Sequence, residues 1–314
     1  MRSTTWRFVA TLTACAALVG CGGDAPSTLD APGPDATCGD VAARAALDVP
    51  YQALPGVAPD LQALDIYPPC SGSQPAPVVV WVHGGAWAIG DKRAQITDKV
   101  ALFTAAGYLL VSINYRLSPD TPDLDPARVM HPRHVEDAAA AVAWVHDHIA
   151  GYGGDPARLV LLGHSAGAHL VALLGTDPAW LGAHGLPLAT LAGVGSFDTE
   201  AYDIPTTMQT ASAMQALILR NAFGDDPAVW AMASPLNHVV AGQGIPPFLV
   251  VERGEPGRRQ TEAAFAQRLR DVGGASTVID AGGLTHEEVN ASIGAAGDTV
   301  MTAPVMAFLA ACFR

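Results

Sequence analysis

The stretch Leu159-Val160-Leu161-Leu162-Gly163-His164-Ser165-Ala166-Gly167-Ala168-His169-Leu170 decides how this chain is built. Its first four residues form an uninterrupted apolar run, as expected of a strand covered on both faces. From Ala166 to Leu174 the spacing turns helical. Between the two lie Gly163 and Gly167, bracketing Ser165 in a G-x-S-x-G pattern. Paired glycines leave room for a cramped strand-to-helix turn that lifts the serine side chain above the sheet. The helix that begins directly after the serine directs its positive end towards it.

Moving outward, strands and helices alternate. Val78-Val79-Val80-Trp81-Val82 and Tyr108 to Ile113 read as further buried strands, and Leu61 to Tyr67 alternates as an edge or antiparallel strand does. Short strands are expected at Leu191 to Val194, Phe248 to Val251 and Ser276 to Ile279. Helices are expected at Ile96 to Ala106, Val135 to Ile149, Arg259 to Val272, which stops at Gly273-Gly274, and Thr299 to Phe313. Repeated strand–helix units predict an α/β protein with a mostly parallel central sheet and helices on both faces. Ligands of such sheets sit beyond the carboxyl ends of the strands. Between the late strands, Trp180 to Val239 carries Met208, Met214, Leu217, Ile218 and Leu219 at roughly helical spacing. This segment reads either as a small cap or lid over the site or as a packed surface helix.

The chemistry-bearing residues fall at the strand ends. A serine hydroxyl is a poor nucleophile until a neighbouring imidazole takes its proton. His286, in a loop soon after the last strand, follows the serine in the chain order this architecture uses. Ten histidines are present. His146 and His148 are two apart on a helix and point to different sides. His131 and His134 flank a helix start and read as solvated. His164 and His169 lie on the serine turn and its helix, poorly placed to act as its base. After the first long strand comes His83-Gly84-Gly85-Ala86-Trp87. Glycines let main-chain N–H groups turn inward, and such donors stabilise the anion that forms on a carbonyl oxygen during acyl transfer. Gly84, Gly85 and Ala166 are the candidates for that oxyanion hole. Trp87, Tyr115 and Tyr202 are candidates for lining a substrate pocket.

Taken together, His83 to Trp87, Asn114 to Ser118, His134 to Asp137, Tyr152 to Pro156, Gly163 to His169, Ala201 to Asp203 and His286 to Asn290 resemble the α/β-hydrolase esterases of the BD-FAE and hormone-sensitive-lipase-like group, with arylformamidases as near kin. The resemblance implies the α/β-hydrolase fold and a serine carboxylesterase acting on small to medium esters through Ser165, His286 and a carboxylate, with no metal or organic cofactor. The group usually places its acid as an Asp shortly after a Gly beyond the strand that ends near Val251. Here Glu252-Arg253-Gly254-Glu255-Pro256-Gly257 puts Gly257 at that position. Glu255 is therefore the expected acid, with Glu252 and Asp280 as alternatives. The Glu-bearing loop keeps an arylformamidase-like amidase open as a second reading. The displaced acid keeps open a third, a non-catalytic envelope-binding lipoprotein on the same scaffold.

Composition agrees with a folded domain. Of 314 residues half are hydrophobic and 15% charged, which excludes wholesale disorder. Seventeen basic against thirty acidic residues give a net charge of −13, so nothing supplies the basic face a nucleic-acid partner needs. Gly193-Val194-Gly195 lacks the rest of a dinucleotide fingerprint, and there is no P-loop lysine. At the N-terminus, Arg2 and Arg7 precede an apolar run from Phe8 that ends in Leu18-Val19-Gly20-Cys21. Residues 1–20 resemble a bacterial lipoprotein signal peptide, with Cys21 as the lipidation site, so export and a lipid anchor in the cell envelope are expected. Residues 21–45, rich in Pro, Gly and Asp, read as a flexible tether, and 46–314 as the catalytic domain. Cys38, Cys70 and Cys312 would remain in an environment that permits disulfides, with the pairing open.

Overall fold

The computed structural model describes residues 41–314, except 73 and 123. The expected signal peptide, Cys21, Cys38 and the tether up to residue 40 lie outside the described residues. The last residues of the expected tether form a helical turn, α1 (Val41–Arg44), and Arg44 donates to the Pro69 carbonyl at 3.1 Å.

Eight strands make one sheet: β1 (Ala46–Pro50), β2 (Ala63–Tyr67), β3 (Ala76–Val82), β4 (Leu109–Ile113), β5 (Gly154–His164), β6 (Leu191–Phe197), β7 (Phe248–Glu252) and β8 (Ser276–Asp280). Their spatial order is β1-β2-β4-β3-β5-β6-β7-β8. The pairs β1–β2 and β2–β4 are antiparallel, and every other pair is parallel. The helices are α2 (Thr97–Ala105), α3 (Arg133–His148), α4 (Ala166–Thr176), α5 (Pro178–Gly182), α6 (Ile204–Thr210), α7 (Ala213–Phe223), α8 (Pro227–Met232), α9 (Pro256–Asp271), α10 (His286–Ala291) and α11 (Thr302–Cys312). This is the mostly parallel, helix-covered sheet anticipated from the alternation of elements, and it has the α/β-hydrolase arrangement that the family resemblance implied.

The apolar runs explain the layers. Along β3, Val78, Val80 and Val82 face a core shared with α3, α4 and α9, through residues such as Val142, Leu170 and Phe265. The intervening Val79 and Trp81 face a second core with Phe103 of α2 and Val305 and Leu309 of α11. A strand covered on both faces has no polar position to offer, which is why β3 and the inner part of β5 read as continuous hydrophobic runs. At 25 cal/mol per Å², each such side chain contributes about 1.5–3 kcal/mol on burial.

Some boundaries differ from expectation. The strand β5 starts at Gly154 and runs eleven residues. The strand β6 extends past Val194 to Phe197. The helix α10 was not anticipated: it forms because Thr285 caps it, its hydroxyl accepting from Glu288 N–H at 3.2 Å while the Glu288 carboxylate accepts from Thr285 N–H at 2.7 Å. His131 and His134, expected to be solvated, are buried. The His134 ring meets Tyr115 edge-on and its Nε2 lies 3.0 Å from Ser118 Oγ, while His131 packs against Trp180 and Phe223. Cys312 is a free thiol and Cys70 is disulfide-bonded.

Candidate active site

The carboxyl ends of β3, β5, β6 and β7, together with α10 beyond β8, converge on one cavity of about 620 Å³. Ser165 is the first residue beyond β5 and adopts φ 58°, ψ −118°, a left-handed conformation that non-glycine residues seldom hold. The surroundings enforce it. A side chain at Gly163 would collide with Gly167, and one at Gly167 with the Val82 and His83 carbonyl oxygens. The Ser165 N–H is tied to the Phe197 carbonyl at 3.0 Å, which anchors the turn to β6.

Ser165 Oγ–H donates to His286 Nε2 at 2.9 Å. On its other side His286 Nδ1–H donates to Asp198 Oδ2 at 2.6 Å. A carboxylate can only accept, so this contact assigns the proton to Nδ1 and leaves Nε2 free to accept from the serine. The His286 backbone is held too: His164 Nε2–H donates to its carbonyl at 2.9 Å, with the two rings 4.5 Å apart. Burial pushes the His164 imidazole down to about 3, so it is a neutral donor.

The acid departs from the expectation. Glu255 is exposed at the N-cap of α9, and its carboxylate has no hydrogen bond or ion pair among the described residues. Glu252 and Asp280, the alternatives, both pair with Arg259, at 3.6 and 2.8 Å. Asp198 takes the place instead. It is the first residue past β6, as Ser165 is the first past β5, and it too has positive φ, 64°. Where an acid was expected after β7, bases stand instead: Arg253 Nε, in the loop, donates to Asp198 Oδ2 at 2.6 Å, and Arg258 Nε, in the first turn of α9, to Oδ1 at 2.8 Å. Burial alone would raise the Asp198 carboxyl, but the His286 hydrogen bond and the Arg258 guanidinium outweigh it and hold the group well below the usual carboxylate range. The signal in the sequence was Phe197-Asp198, visible once the strand at Leu191 is continued by three residues.

Gly84, Gly85 and Ala166 line the cavity beside Ser165, and none of their N–H groups donates to another described residue. Gly85 has φ 115°, and a side chain there would strike the Ile89 carbonyl. The loop is braced from below by the Tyr115 hydroxyl, which donates to the His83 carbonyl at 3.0 Å while its ring stacks on His83 at 4.5 Å. Of the three aromatic pocket candidates only Trp87 lines the cavity. Tyr115 and Tyr202 are fully buried supports; the Tyr202 ring stacks on Phe265 and its hydroxyl meets Ser196 Oγ at 2.6 Å. The segment expected as cap or packed helix divides. Its first part supplies β6, and α6 and α7 supply Thr207, Gln215, Ile218 and Leu219 to the cavity wall.

His164, Asp198 and His286 bring ligand-type atoms within 4.8 Å of one another. The two guanidiniums on Asp198 oppose a dication there, and the described geometry uses each of these residues in hydrogen bonds.

Comparison with known proteins agrees with this architecture. Residues 64–184 match the BD-FAE family. The chain is 35% identical over 242 residues to Esterase LipQ of Mycobacterium tuberculosis, covering 73% of this chain and 53% of the relative. It is 30% identical over 210 residues to Esterase LipC of the same organism, covering 64% and 50%. The chain thus spans about half the length of these curated relatives. Among solved structures, Esterase B from Lactobacillus rhamnosis superposes with a TM-score of 0.68 at 20% identity, over 85% of this chain and 86% of that one. At that identity the likeness speaks for the fold.

Proposed function

As an α/β-hydrolase that resembles the BD-FAE and hormone-sensitive-lipase-like esterases, this chain is, we propose, a serine carboxylesterase working through Ser165, His286 and Asp198. The observation that carries the reading is the unbroken hydrogen-bond chain from Ser165 Oγ through both imidazole nitrogens to a buried carboxylate. Ser165 Oγ attacks the ester carbonyl while His286 Nε2 takes its proton. The carbonyl oxygen gains the negative charge and is met by N–H groups of Gly84, Gly85 and Ala166. Asp198 holds the imidazole in the productive tautomer and stabilises the imidazolium. Collapse expels the alcohol, which takes the proton from His286. Water, deprotonated by the same imidazole, then cleaves the acyl-enzyme. Every proton in this cycle passes through groups of the chain itself.

Trp87, Ile89, Ile218 and Leu219 give part of the cavity an apolar lining suited to a small or medium acyl chain. The amidase reading rested on an acid in the Glu255 loop, and an acid on β6 removes that support. For location, the N-terminal sequence supports export and lipid attachment at Cys21, and the disulfide at Cys70 supports an oxidising compartment. Release of the protein from the membrane fraction by Cys21→Ser tests the anchor, and retention refutes it.

The activity is tested with p-nitrophenyl acetate, butyrate and octanoate and one formanilide, on wild type and Ser165→Ala. Turnover of the shorter esters that disappears with Ser165 is expected. Preference for the formanilide, or turnover that survives Ser165→Ala, contradicts the proposal.

A further inference from the structure

We infer that Arg258 and Arg253 are positioning residues: they hold Asp198 against His286, and as fixed positive charges beside that pair they set the acid-side limit of the pH range of the reaction. The inference rests on the functional reading above and concerns the unusual origin of the acid. Asp198 leaves β6 at φ 64° with a short side chain and no exposure to solvent. A buried carboxylate in a strained backbone conformation stays in place only if its surroundings over-determine it. The two arginines do so, Arg253 from the loop after β7 and Arg258 from the first turn of α9, one on each oxygen.

Both arginines have further anchors, Arg258 through its side chain and Arg253 through its main chain. The Arg258 guanidinium also contacts Glu200, and its Nε lies 3.2 Å from Glu262 Oε1. Glu262, fully buried, accepts from the Arg253 N–H at 2.8 Å. Glu200 is in turn held from α7 by Gln215 Nε2 at 2.9 Å. The Arg258 guanidinium is thus held by Asp198, Glu200 and Glu262 together, and Arg253 is anchored through its main chain.

Their charge has a second effect. In the reaction His286 must be unprotonated to accept from Ser165. A positive charge near an imidazole opposes its protonation, and a carboxylate promotes it. The groups facing the Asp198–His286 pair are Arg253 after β7, Arg258 and Glu262 on α9, Glu200 after β6, His164 at the end of β5 and Glu287 on α10. Lys99 of α2 reaches this region electrostatically through His164. Burial keeps His164 neutral and pushes the Glu262 carboxyl up towards its neutral form. Of the charged groups named, the two guanidiniums are the ones that bond Asp198 itself, while Glu200 reaches the pair only through Arg258. Both bond directly to Asp198, and their positive charge opposes the further positive charge that a proton would bring to the pair.

The test is the kcat/KM profile for p-nitrophenyl butyrate between about pH 4.5 and 9. The proteins compared are wild type, Arg258→Gln, Arg258→Lys, Arg253→Gln and Arg258→Gln/Glu262→Gln, the last sparing the fold a stranded buried carboxylate. The acid-side midpoint should move to higher pH by about one pH unit in the Gln variants, with Arg258→Lys nearer to wild type. A general loosening of structure lowers the plateau without moving the midpoint. An unmoved or lowered midpoint in the folded Gln variants overturns the inference. Ser165→Ala in parallel keeps the two claims apart, because turnover independent of Ser165 defeats the functional reading alone.

Discussion

Replacing Asp198 by Asn should abolish the proposed esterase turnover while leaving substrate binding nearly intact. The carboxylate is shared between donors on both sides. Oδ2 accepts from His286 Nδ1 and Arg253 Nε, each at 2.6 Å, and Oδ1 accepts from Arg258 Nε at 2.8 Å. An amide offers one acceptor and one donor end. If its NH2 faces His286, it donates to Nδ1 and drives the ring proton to Nε2, where it blocks acceptance from Ser165. In either orientation the NH2 also confronts an arginine donor in a site closed to solvent, Arg253 at the Oδ2 position or Arg258 at the Oδ1 position, so the amide cannot replace the carboxylate's set of acceptors. Loss of the productive tautomer in a Ser-His-Asp system lowers kcat by about 10³–10⁴-fold, equivalent to about 4–5.5 kcal/mol of transition-state stabilisation. The assay is p-nitrophenyl butyrate hydrolysis, with kcat and KM determined separately and a thermal melt to verify folding. Glu255→Ala is the control: its carboxylate is exposed and unbonded, so its kcat should equal that of wild type. A folded Asp198→Asn enzyme within about tenfold of wild type, beside a collapse in Glu255→Ala, refutes the assignment.

Two further outcomes follow from the geometry. Gly85→Ala places a methyl group into the Ile89 carbonyl at φ 115° and displaces an oxyanion donor, so kcat should fall by about 10²–10³-fold while the fold survives; an unchanged kcat refutes this role for the loop. Acid sensitivity should come from buried histidines. Burial pushes His83 and His131 down to about 4 and His134, His164 and His169 down to about 3. The unfolded chain therefore binds more protons below about pH 6.5, and stability present above that value is lost as pH falls towards the folded values, at roughly 1–2 kcal/mol per histidine by pH 5. Thermal melts should show Tm dropping between about pH 7.5 and pH 5, and a flat Tm over that interval contradicts the burial of neutral imidazoles.

Much of this site is written locally in the chain, and the exceptions share a cause. The run Val78–Val82, the Gly163–Gly167 turn and the Gly84-Gly85 pair each encode their own conformation, because buried strands and tight turns are governed by residues within a few positions. His286 was legible from chain order, although its helix, capped by Thr285, was not. Asp198 was missed because β6 contains Gly193 and Gly195, which weaken a strand pattern. Ending that strand at Val194, three residues short of its true end at Phe197, hid the acid that follows directly as Asp198. The loop after β7 then invited Glu255, although the side chains that this loop and the start of α9 direct at the site are Arg253 and Arg258, which bond Asp198. Tyr115 and Tyr202 lie beside the motifs in sequence, but their rings point into the packing beneath the site. Which side of a strand end an aromatic ring occupies is a tertiary matter that spacing does not encode.

The central claim is that Ser165 is a nucleophile activated through His286, and intact-mass spectrometry after exposure to a fluorophosphonate reads it directly. One phosphonyl adduct per chain, mapping to the Ser165 peptide and absent in Ser165→Ala and His286→Ala, is the result the geometry predicts. An unmodified wild-type chain, or an adduct that persists without Ser165, contradicts it.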